Sequence, residues 1–478
     1  MSSLTTAARR SAVRGAVDLP FPRVMSSIAE AFAALLQARS GAPVAWTPDG
    51  WRDRRDLWAL SDEVAAALAI VPAGVRVAIS VRRGFLFLAA LLAVWRRGDC
   101  AVLLDAADPQ APRLDFARQF GAACLVVDEP QLSCRPLAGG VPAADLAAIK
   151  LTSGSTGLPR GVGVGAAGLI ADGDALERTM GIGDGDRVLA AVPMSFSYGV
   201  GSLLVPALWR GRVLVLPDHD HPLGLFQALR QGEPTVLPAV PALLRALLDH
   251  GVELPTSLRL VLSAGAVLPP HIAASFRARF GRCVHAFYGA TEAGGICYDR
   301  TGNAAERGTV GTPVDGVAVT LDADGRVRVR SPAVGLALEA DDGLRDGVFM
   351  APDLGEWHDG ELCLLGRVTA VFDVGGHKVH PLEVERVIAE LDGVRDVVVV
   401  PWSDGFGRAV CAALVAARPT VDETAVRRHC VQHLASAKVP RCVLVLEELP
   451  RTSRGKLRLL EINRLLAAAV AGEGGRPR

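Results

Sequence analysis

Short β-rich segments alternate with helical ones through most of this chain up to Leu262, and that rhythm leaves few folds open. Val75 to Val81, Cys100 to Leu104, Cys124 to Val127, Arg187 to Val192, Arg212 to Leu216, Thr235 to Leu237 and Leu258 to Leu262 read as strands. Between them, Phe85 to Trp95, Leu223 to Arg230 and Pro241 to His250 read as helices. Ser27 to Gln37 places Ile28, Ala31, Phe32 and Leu35 at helical spacing. A β-α-β-α order of this kind predicts an α/β fold of mostly parallel, helix-covered sheets.

The texture changes after Thr309. Val317 to Leu321 and Gly325 to Val329 read as short antiparallel strands around an Asp-Gly turn, and Gly360 to Leu365 adds another, giving a β-rich subdomain. Arg367 to Lys378 then leads into a helix from Pro381 to Leu391, with proline near its start. Val397 to Val400, Ala409 to Val415, Val421 to His433 and Cys442 to Leu446 complete a compact α+β unit. The expected boundary lies just after Arg367: a large N-terminal domain over 1–367 and a small, mobile C-terminal domain over 368–478. With 478 residues, half of them hydrophobic, a large buried core is available.

Charge and cysteine usage exclude several classes. Lys+Arg and Asp+Glu both total 51, so nothing electrostatic favours nucleic acid or an anionic membrane, and 5% aromatic content argues against base-stacking platforms. Nine cysteines, none in a C-x-x-C pair, fit a reduced cytoplasmic protein rather than a disulfide scaffold or a zinc site. The apolar run Phe85 to Trp95 is too short to span a bilayer and is flanked by arginines. The first seventeen residues carry three arginines and no acid, with no apolar secretory core behind them, and read as a frayed terminus.

The chemistry centres on Leu151-Thr152-Ser153-Gly154-Ser155-Thr156-Gly157-Leu158-Pro159-Arg160-Gly161. Four hydroxyls, three glycines and one cation share this short loop. Glycines let backbone approach an anion closely, hydroxyls and free N–H groups wrap phosphate oxygens, and the cation offsets their charge. The order is not G-x-x-x-x-G-K-[ST], which opposes a P-loop kinase or ATPase. A second group, Tyr288-Gly289-Ala290-Thr291-Glu292-Ala293-Gly294-Gly295, offers an aromatic face for a base, a hydroxyl, and a carboxylate suited to Mg²⁺. Asp353 can accept both hydroxyls of a ribose, and Arg367 can reach the same ribose or an α-phosphate. Gly375 and Gly376 beside a β-rich segment suggest close backbone approach to a ligand. Lys456 sits in a second Gly-Lys loop, Pro450 to Leu457, with Lys438-Val439-Pro440-Arg441 upstream.

In order and spacing these motifs resemble the adenylate-forming superfamily of acyl-CoA synthetases, aryl-acid ligases, peptide-synthetase adenylation domains and luciferases, over nearly the whole chain. The resemblance implies an AMP-forming ligase. A carboxylate attacks the α-phosphorus of Mg-ATP to give acyl-adenylate and pyrophosphate, and a thiol then displaces AMP. It implies that Thr152, Ser153, Gly154, Ser155, Thr156, Gly157 and Arg160 cradle the β- and γ-phosphates. Ala264, Gly265, Ala266, Tyr288 and Gly289 would bound the adenine, and Asp353 and Arg367 would hold the ribose. Thr291 and Glu292 would serve the α-phosphate and metal, with Thr156 a second metal ligand. Gly375 and Gly376 would line the thiol tunnel. Lys456 would neutralise charge in the adenylation transition state.

The chain departs from the family pattern at four places. Arg160 replaces the usual lysine of the phosphate loop; Phe196 stands where acyl-CoA synthetases often place a histidine; Thr369 and Ala370 replace charged hinge residues. The acyl pocket is expected to draw on Phe196, Tyr198, Gly199, Val200, Val240 and Gly294, an apolar, partly aromatic lining for an aryl or medium aliphatic acid. No acid lies between Asp186 and Asp218, which opposes an α-amino acid substrate, since a buried unpaired ammonium is costly. The expected acceptor is coenzyme A. A separate carrier protein's phosphopantetheine and an amine are the alternatives within the class. A non-catalytic nucleotide- or acyl-binding protein is the rival from outside it, and it predicts loss of Glu292 or Lys456, both of which are present.

Overall fold

Leu86 to Trp95 are buried without exception inside the helix Gly84–Arg96. A helix apolar on every side must lie between layers. Here it shares one core with Val44 and Ala45 of one sheet and Val77, Ile79 and Leu103 of another. This computed structural model describes residues 27–129, 131–153, 159–221, 223–338, 343–374, 377–403, 409–451 and 458–472.

The first sheet has seven strands, in the order Leu336–Ala337, Pro159–Val164, Ala148–Ser153, Cys100–Leu103, Arg76–Ser80, Cys124–Val127, Ser133–Pro136. Its middle four are parallel and its edges antiparallel. The second has nine strands and is parallel from Val284–Ala290 through Leu260–Ser263, Val236–Ala239, Arg187–Leu189 and Val213–Val215 to Pro43–Thr47. Gly294–Tyr298 and Thr312–Pro313 extend one edge and Gly50–Asp53 the other, all antiparallel. A third sheet, wholly antiparallel, gathers Ala318–Leu321, Arg326–Arg330 and Leu344–Arg345 with the hairpin Val348–His358/Glu361–Arg367. The mostly parallel α/β architecture with a β-rich subdomain is as expected.

Beyond the turn Val368–Ala370, Val394–Ser403, Ala409–Ala417 and Cys442–Leu446 form a separate three-stranded sheet. Helices Pro381–Ala389 and Glu423–His433 pack on one face, and Ile462 and Leu466 of Leu459–Gly472 on the other. Asp422 caps the second of these helices by accepting the Ala425 N–H at 2.7 Å. A narrow, largely polar seam joins this unit to the rest. Arg386 donates to the carbonyls of Gly308 (3.1 Å) and Leu364 (2.8 Å), Leu382 packs on the core of the third sheet, and Arg245 faces Asp396 at 4.0 Å.

Two elements escape the sequence pattern. Ala166–Met180 is a helix despite internal Gly168 and Gly173, residues that disfavour helices on propensity alone. Tertiary packing overrides propensity: a Cβ at Gly168 would lie 3.2 Å from the Pro332 carbonyl, and one at Gly173 3.2 Å from Val205. Val348–His358 is a strand that runs through Pro352, a residue that demotes a sequence run as a strand candidate. Among the described residues no helix is long and apolar enough to cross a membrane.

Candidate active site

The carboxyl ends of the parallel strands Val236–Ala239 and Leu260–Ser263 open onto Val240 and Ala264-Gly265-Ala266. Ligands of open α/β sheets bind at such ends. Gly265 has φ +81°, and a Cβ there would sit 3.5 Å from Val240, so the two segments form one wall. Beside them the strand Val284–Ala290 carries Tyr288 and Gly289, then turns through Thr291 and Glu292 into Gly294–Tyr298. The two strands form an antiparallel hairpin. The Glu292 carbonyl accepts the Gly335 N–H at 2.8 Å, which pins that turn.

Three expected nucleotide contacts meet directly. The Tyr288 hydroxyl donates to Asp353 Oδ2 at 2.7 Å, and Arg367 Nε lies 3.4 Å from Asp353 Oδ1. Asp353 and Arg367 face each other across the hairpin Val348–His358/Glu361–Arg367, so register alone sets their pairing. Burial, reinforced by the Asp353 charge, pushes the Tyr288 phenol far up, and it stays a neutral donor. Arg367 is exposed, which leaves it able to reach outward to a ligand.

The two flanks of the expected phosphate loop pair as antiparallel strands. Thr152 stands opposite Arg160 and Ser153 opposite Pro159 in the antiparallel pair Ala148–Ser153/Pro159–Val164. Gly154, Ser155, Thr156 and Gly157, like Gly375, Gly376 and Lys456, lie outside the described residues.

The residues expected at the acyl site fall on neighbouring elements. Phe196 precedes the short helical turn Ser197–Gly199, which continues through a π-type turn over Val200–Leu204. Gly199 is required there, since a Cβ would fall 2.3 Å from the Pro193 carbonyl oxygen. The Tyr198 and Phe287 rings stand 5.7 Å apart. The Tyr198 hydroxyl is buried near the backbone of Ala239 without completing a hydrogen bond.

Sequence reasoning missed two polar residues near these elements. Lys150, from the strand Ala148–Ser153, is 3% exposed and donates to Ser197 Oγ at 3.2 Å. Asp172, from the helix Ala166–Met180, is 8% exposed and accepts the Gly295 N–H at 2.9 Å. A Cβ at Gly294 would lie 2.4 Å from Asp172 Oδ1, and one at Gly201 2.8 Å from Oδ2, so the carboxylate is pressed against those glycines. Burial lowers the Lys150 pKa, while Asp172 and Glu292 pull it back; burial raises Asp172, opposed by Lys150 and the Gly295 amide. Close to the residues expected to line the acyl pocket, the interior thus holds two buried groups of opposite charge, Lys150 and Asp172. The signal for Lys150 was a lysine in a strand whose neighbours Ile149 and Leu151 are apolar. Asp172 had none, because it enters from a helix far outside the stretch between Asp186 and Asp218.

An α/β architecture of mostly parallel sheets with a β-rich subdomain and an appended α+β unit is what this fold defines. The model for the AMP-binding enzyme matches residues 135–335, and that for the AMP-binding enzyme C-terminal domain matches 383–456. The chain belongs to the AMP-binding enzyme family. It is 31% identical over 350 residues to 4-hydroxybenzoate–CoA/benzoate–CoA ligase of Rhodopseudomonas palustris, covering 67% of this chain but only 65% of that relative, less than two thirds of its length. It is 28% identical to 2-succinylbenzoate–CoA ligase of Bacillus cereus, over 83% of this chain and 89% of that one. In structure it is similar to o-succinylbenzoate CoA synthetase of Bacillus subtilis in complex with its acyl-adenylate intermediate. There the TM-score is 0.79 at 23% identity, over 90% and 97% of the two chains. It is similar also to an anthranilate CoA ligase in complex with anthranoyl-AMP, with TM-score 0.81 at 20% identity, over 93% and 98%.

Proposed function

We propose that this chain is an AMP-forming carboxylate ligase, joining an acid to coenzyme A through an acyl-adenylate. The observation that carries the reading is the Tyr288–Asp353–Arg367 contact, which gathers three separate segments beside Ala264-Gly265-Ala266 in the form of a nucleoside site. The names of the relatives, all CoA ligases acting on carboxylic acids, support it.

In this reading the adenine lies against Ala264, Gly265, Ala266, Tyr288 and Gly289, and Asp353 and Arg367 take the ribose hydroxyls. Thr152, Ser153, Gly154, Ser155, Thr156, Gly157 and Arg160 hold the β- and γ-phosphates. The Glu292 carboxylate and the Thr291 hydroxyl at the hairpin turn, with the Thr156 hydroxyl that the family resemblance assigns, are all oxygen donors and suit a hard divalent cation. Mg²⁺ bound there would supply charge neutralisation on the phosphates. Orienting the acid's carboxylate in line with the α-phosphorus is the task of the acyl wall, and positioning of that kind accounts for much of phosphorus-transfer catalysis. Lys456 adds a cation for the first half-reaction. The domains are taken as 1–367 and 368–478, turning about Arg367 to Ala370 so that Lys456 and the Gly375-Gly376 loop serve in succession. Gly366 at the head of that hinge has φ +128°, backbone that few other residues adopt.

The test is product analysis with Mg-ATP and a panel of carboxylic acids. AMP and pyrophosphate, with thioester when coenzyme A is present, support the ligase; ADP and phosphate refute it. Replacing coenzyme A by a phosphopantetheinyl carrier or an amine tests the other two acceptors.

A further inference from the structure

The hairpin Val348–His358/Glu361–Arg367 carries a second group of chemically active side chains, apart from Asp353 and Arg367. Glu356 and His358 are two residues apart on its first strand and so share a face. Cys363, on the second strand, stands directly opposite Glu356. The register thus brings a carboxylate, an imidazole and a thiol together, with their ligand atoms all within 4.8 Å of one another. His358 Nε2 stands 2.7 Å from Glu356 Oε1. Both of these side chains are exposed, whereas Cys363 is buried, so an ion can arrive from solvent and meet a sulfur sheltered from it. Arg386 Nη1 donates to Cys363 Sγ at 3.3 Å. A thiolate accepts such a bond more strongly than a thiol does, so giving up the thiol proton leaves the sulfur with a partner for its charge.

We infer that Glu356, His358 and Cys363 form a binding site for Zn²⁺, held by one carboxylate oxygen, one ring nitrogen and one thiolate. The donor set chooses the ion: thiolate and imidazole suit zinc, whereas Mg²⁺ takes oxygen ligands. Three protein ligands leave the fourth tetrahedral position to water on the exposed side. As the S–Zn bond forms, the Cys363 thiol releases its proton to solvent. The proton of the neutral His358 ring sits on Nδ1, which frees the Nε2 lone pair for the metal. No cysteine-pair motif marks the site, because Cys363 joins Glu356 and His358 only through strand register. Arg386 belongs to the helix Pro381–Ala389, so the metal-bound sulfur also touches the C-terminal unit. The site shares no residue with the nucleotide contacts and stands independently of the ligase reading.

The experiment is titration of the full chain, reduced and stripped of metal by a chelator, with Co²⁺ as a coloured stand-in for zinc. A sulfur-to-cobalt charge-transfer absorption should grow and saturate at a single equivalent. Zn²⁺ should bleach it by displacement, and excess Mg²⁺ should not. Cys363→Ser should abolish the band. His358→Ala and Glu356→Gln, both at exposed positions, should each weaken Co²⁺ and Zn²⁺ binding at least about tenfold, the least that losing even an orienting partner of a metal ligand costs. Absence of the band from the wild type overturns the site and needs no variant to fold. A band that persists in Cys363→Ser assigns the metal to another cysteine and overturns it as well. Unchanged affinity in both His358→Ala and Glu356→Gln does the same, and decides the matter even where Cys363→Ser fails to fold.

Discussion

Replacing Asp353 by asparagine isolates the charge at the nucleoside site while keeping its shape. In the structure Asp353 Oδ2 takes the Tyr288 hydroxyl at 2.7 Å, and Oδ1 faces Arg367 Nε at 3.4 Å. The Arg367 side chain is 66% exposed, so solvent screens that pair and its loss costs little. The larger effect falls on the nucleotide. If the carboxylate accepts both ribose hydroxyls, each bond falls from the charged class, about 1.5–3 kcal/mol, to the neutral class, about 0.5–1.5 kcal/mol. Two bonds together lose about 2 kcal/mol, or roughly 30-fold in affinity. Calorimetric titration should show the dissociation constants of AMP and ATP rising together by that factor. In exchange assays the loss should appear in KM for ATP rather than in kcat, because ribose binding is common to ground and transition states. The decisive arm uses 2′-deoxy- and 3′-deoxy-ATP. Deoxygenation should cost the wild type clearly more than the variant. Equal penalties in both proteins would show that Asp353 does not read the ribose, whatever happens to overall affinity.

Further outcomes follow from other parts of the site. Glu292→Gln should cut adenylation severely and weaken its Mg²⁺ dependence; wild-type exchange across a Mg²⁺ titration would remove the metal role. Lys456→Ala should slow adenylate formation by roughly 10²-fold, the scale of one transition-state contact, with much less effect on thiol transfer from supplied acyl-adenylate; equal losses in both half-reactions would deny it an adenylation-specific part. Gly294→Ala puts a Cβ 2.4 Å from Asp172 Oδ1 at φ +70°. The left-handed backbone costs about 1–2 kcal/mol and the displaced carboxylate about 1.5–3 kcal/mol, so denaturant unfolding should register a loss of roughly 3–5 kcal/mol; a loss below about 1 kcal/mol would contradict this packing. Burial, reinforced by the Asp396 charge, raises Glu385 from 4.5 to about 7 against the opposing Val399 N–H and Arg451 charge. Its native form keeps a proton that the unfolded chain has released, so the C-terminal unit should lose stability as pH rises from 4.5 to 7, by at most about 3 kcal/mol. Glu385→Gln should flatten that slope in pH-dependent unfolding, and an unchanged slope would discharge Glu385 from it.

The fold was legible where one local signal sufficed. Gly84–Arg96 showed in its apolar run, and the strands Arg76–Ser80, Cys100–Leu103 and Cys124–Val127 in their β-branched texture. Ala166–Met180 was not legible, because its glycines are explained by Pro332 and Val205, neighbours distant in sequence. The same division runs through the site. Tyr288, Asp353 and Arg367 sit in motifs with a fixed order, and their meeting follows from two hairpins. Asp172 carries no local mark. It reaches the Ser197–Leu204 turns and the Gly294–Tyr298 strand only because Gly201, Gly294 and Gly295 lack side chains and let the helix approach. The burial of Lys150 and Asp172 in one region is therefore a product of tertiary structure alone.

If the C-terminal unit turns as proposed, the seam between the two units sets how easily it does so. Three Arg386 hydrogen bonds, to the Gly308 and Leu364 carbonyls and the Cys363 sulfur, the distant Arg245–Asp396 pair and one packed leucine are among its contacts. Hydrogen bonds of this kind are worth about 0.5–1.5 kcal/mol each net of water, since solvent takes over both partners when they part. A clasp of a few kcal/mol holds one orientation at equilibrium yet yields to any ligand that prefers another by a similar margin. The seam thus works as a detent rather than a lock. It defines a resting angle, and it leaves the choice of the next one to whatever occupies the cleft.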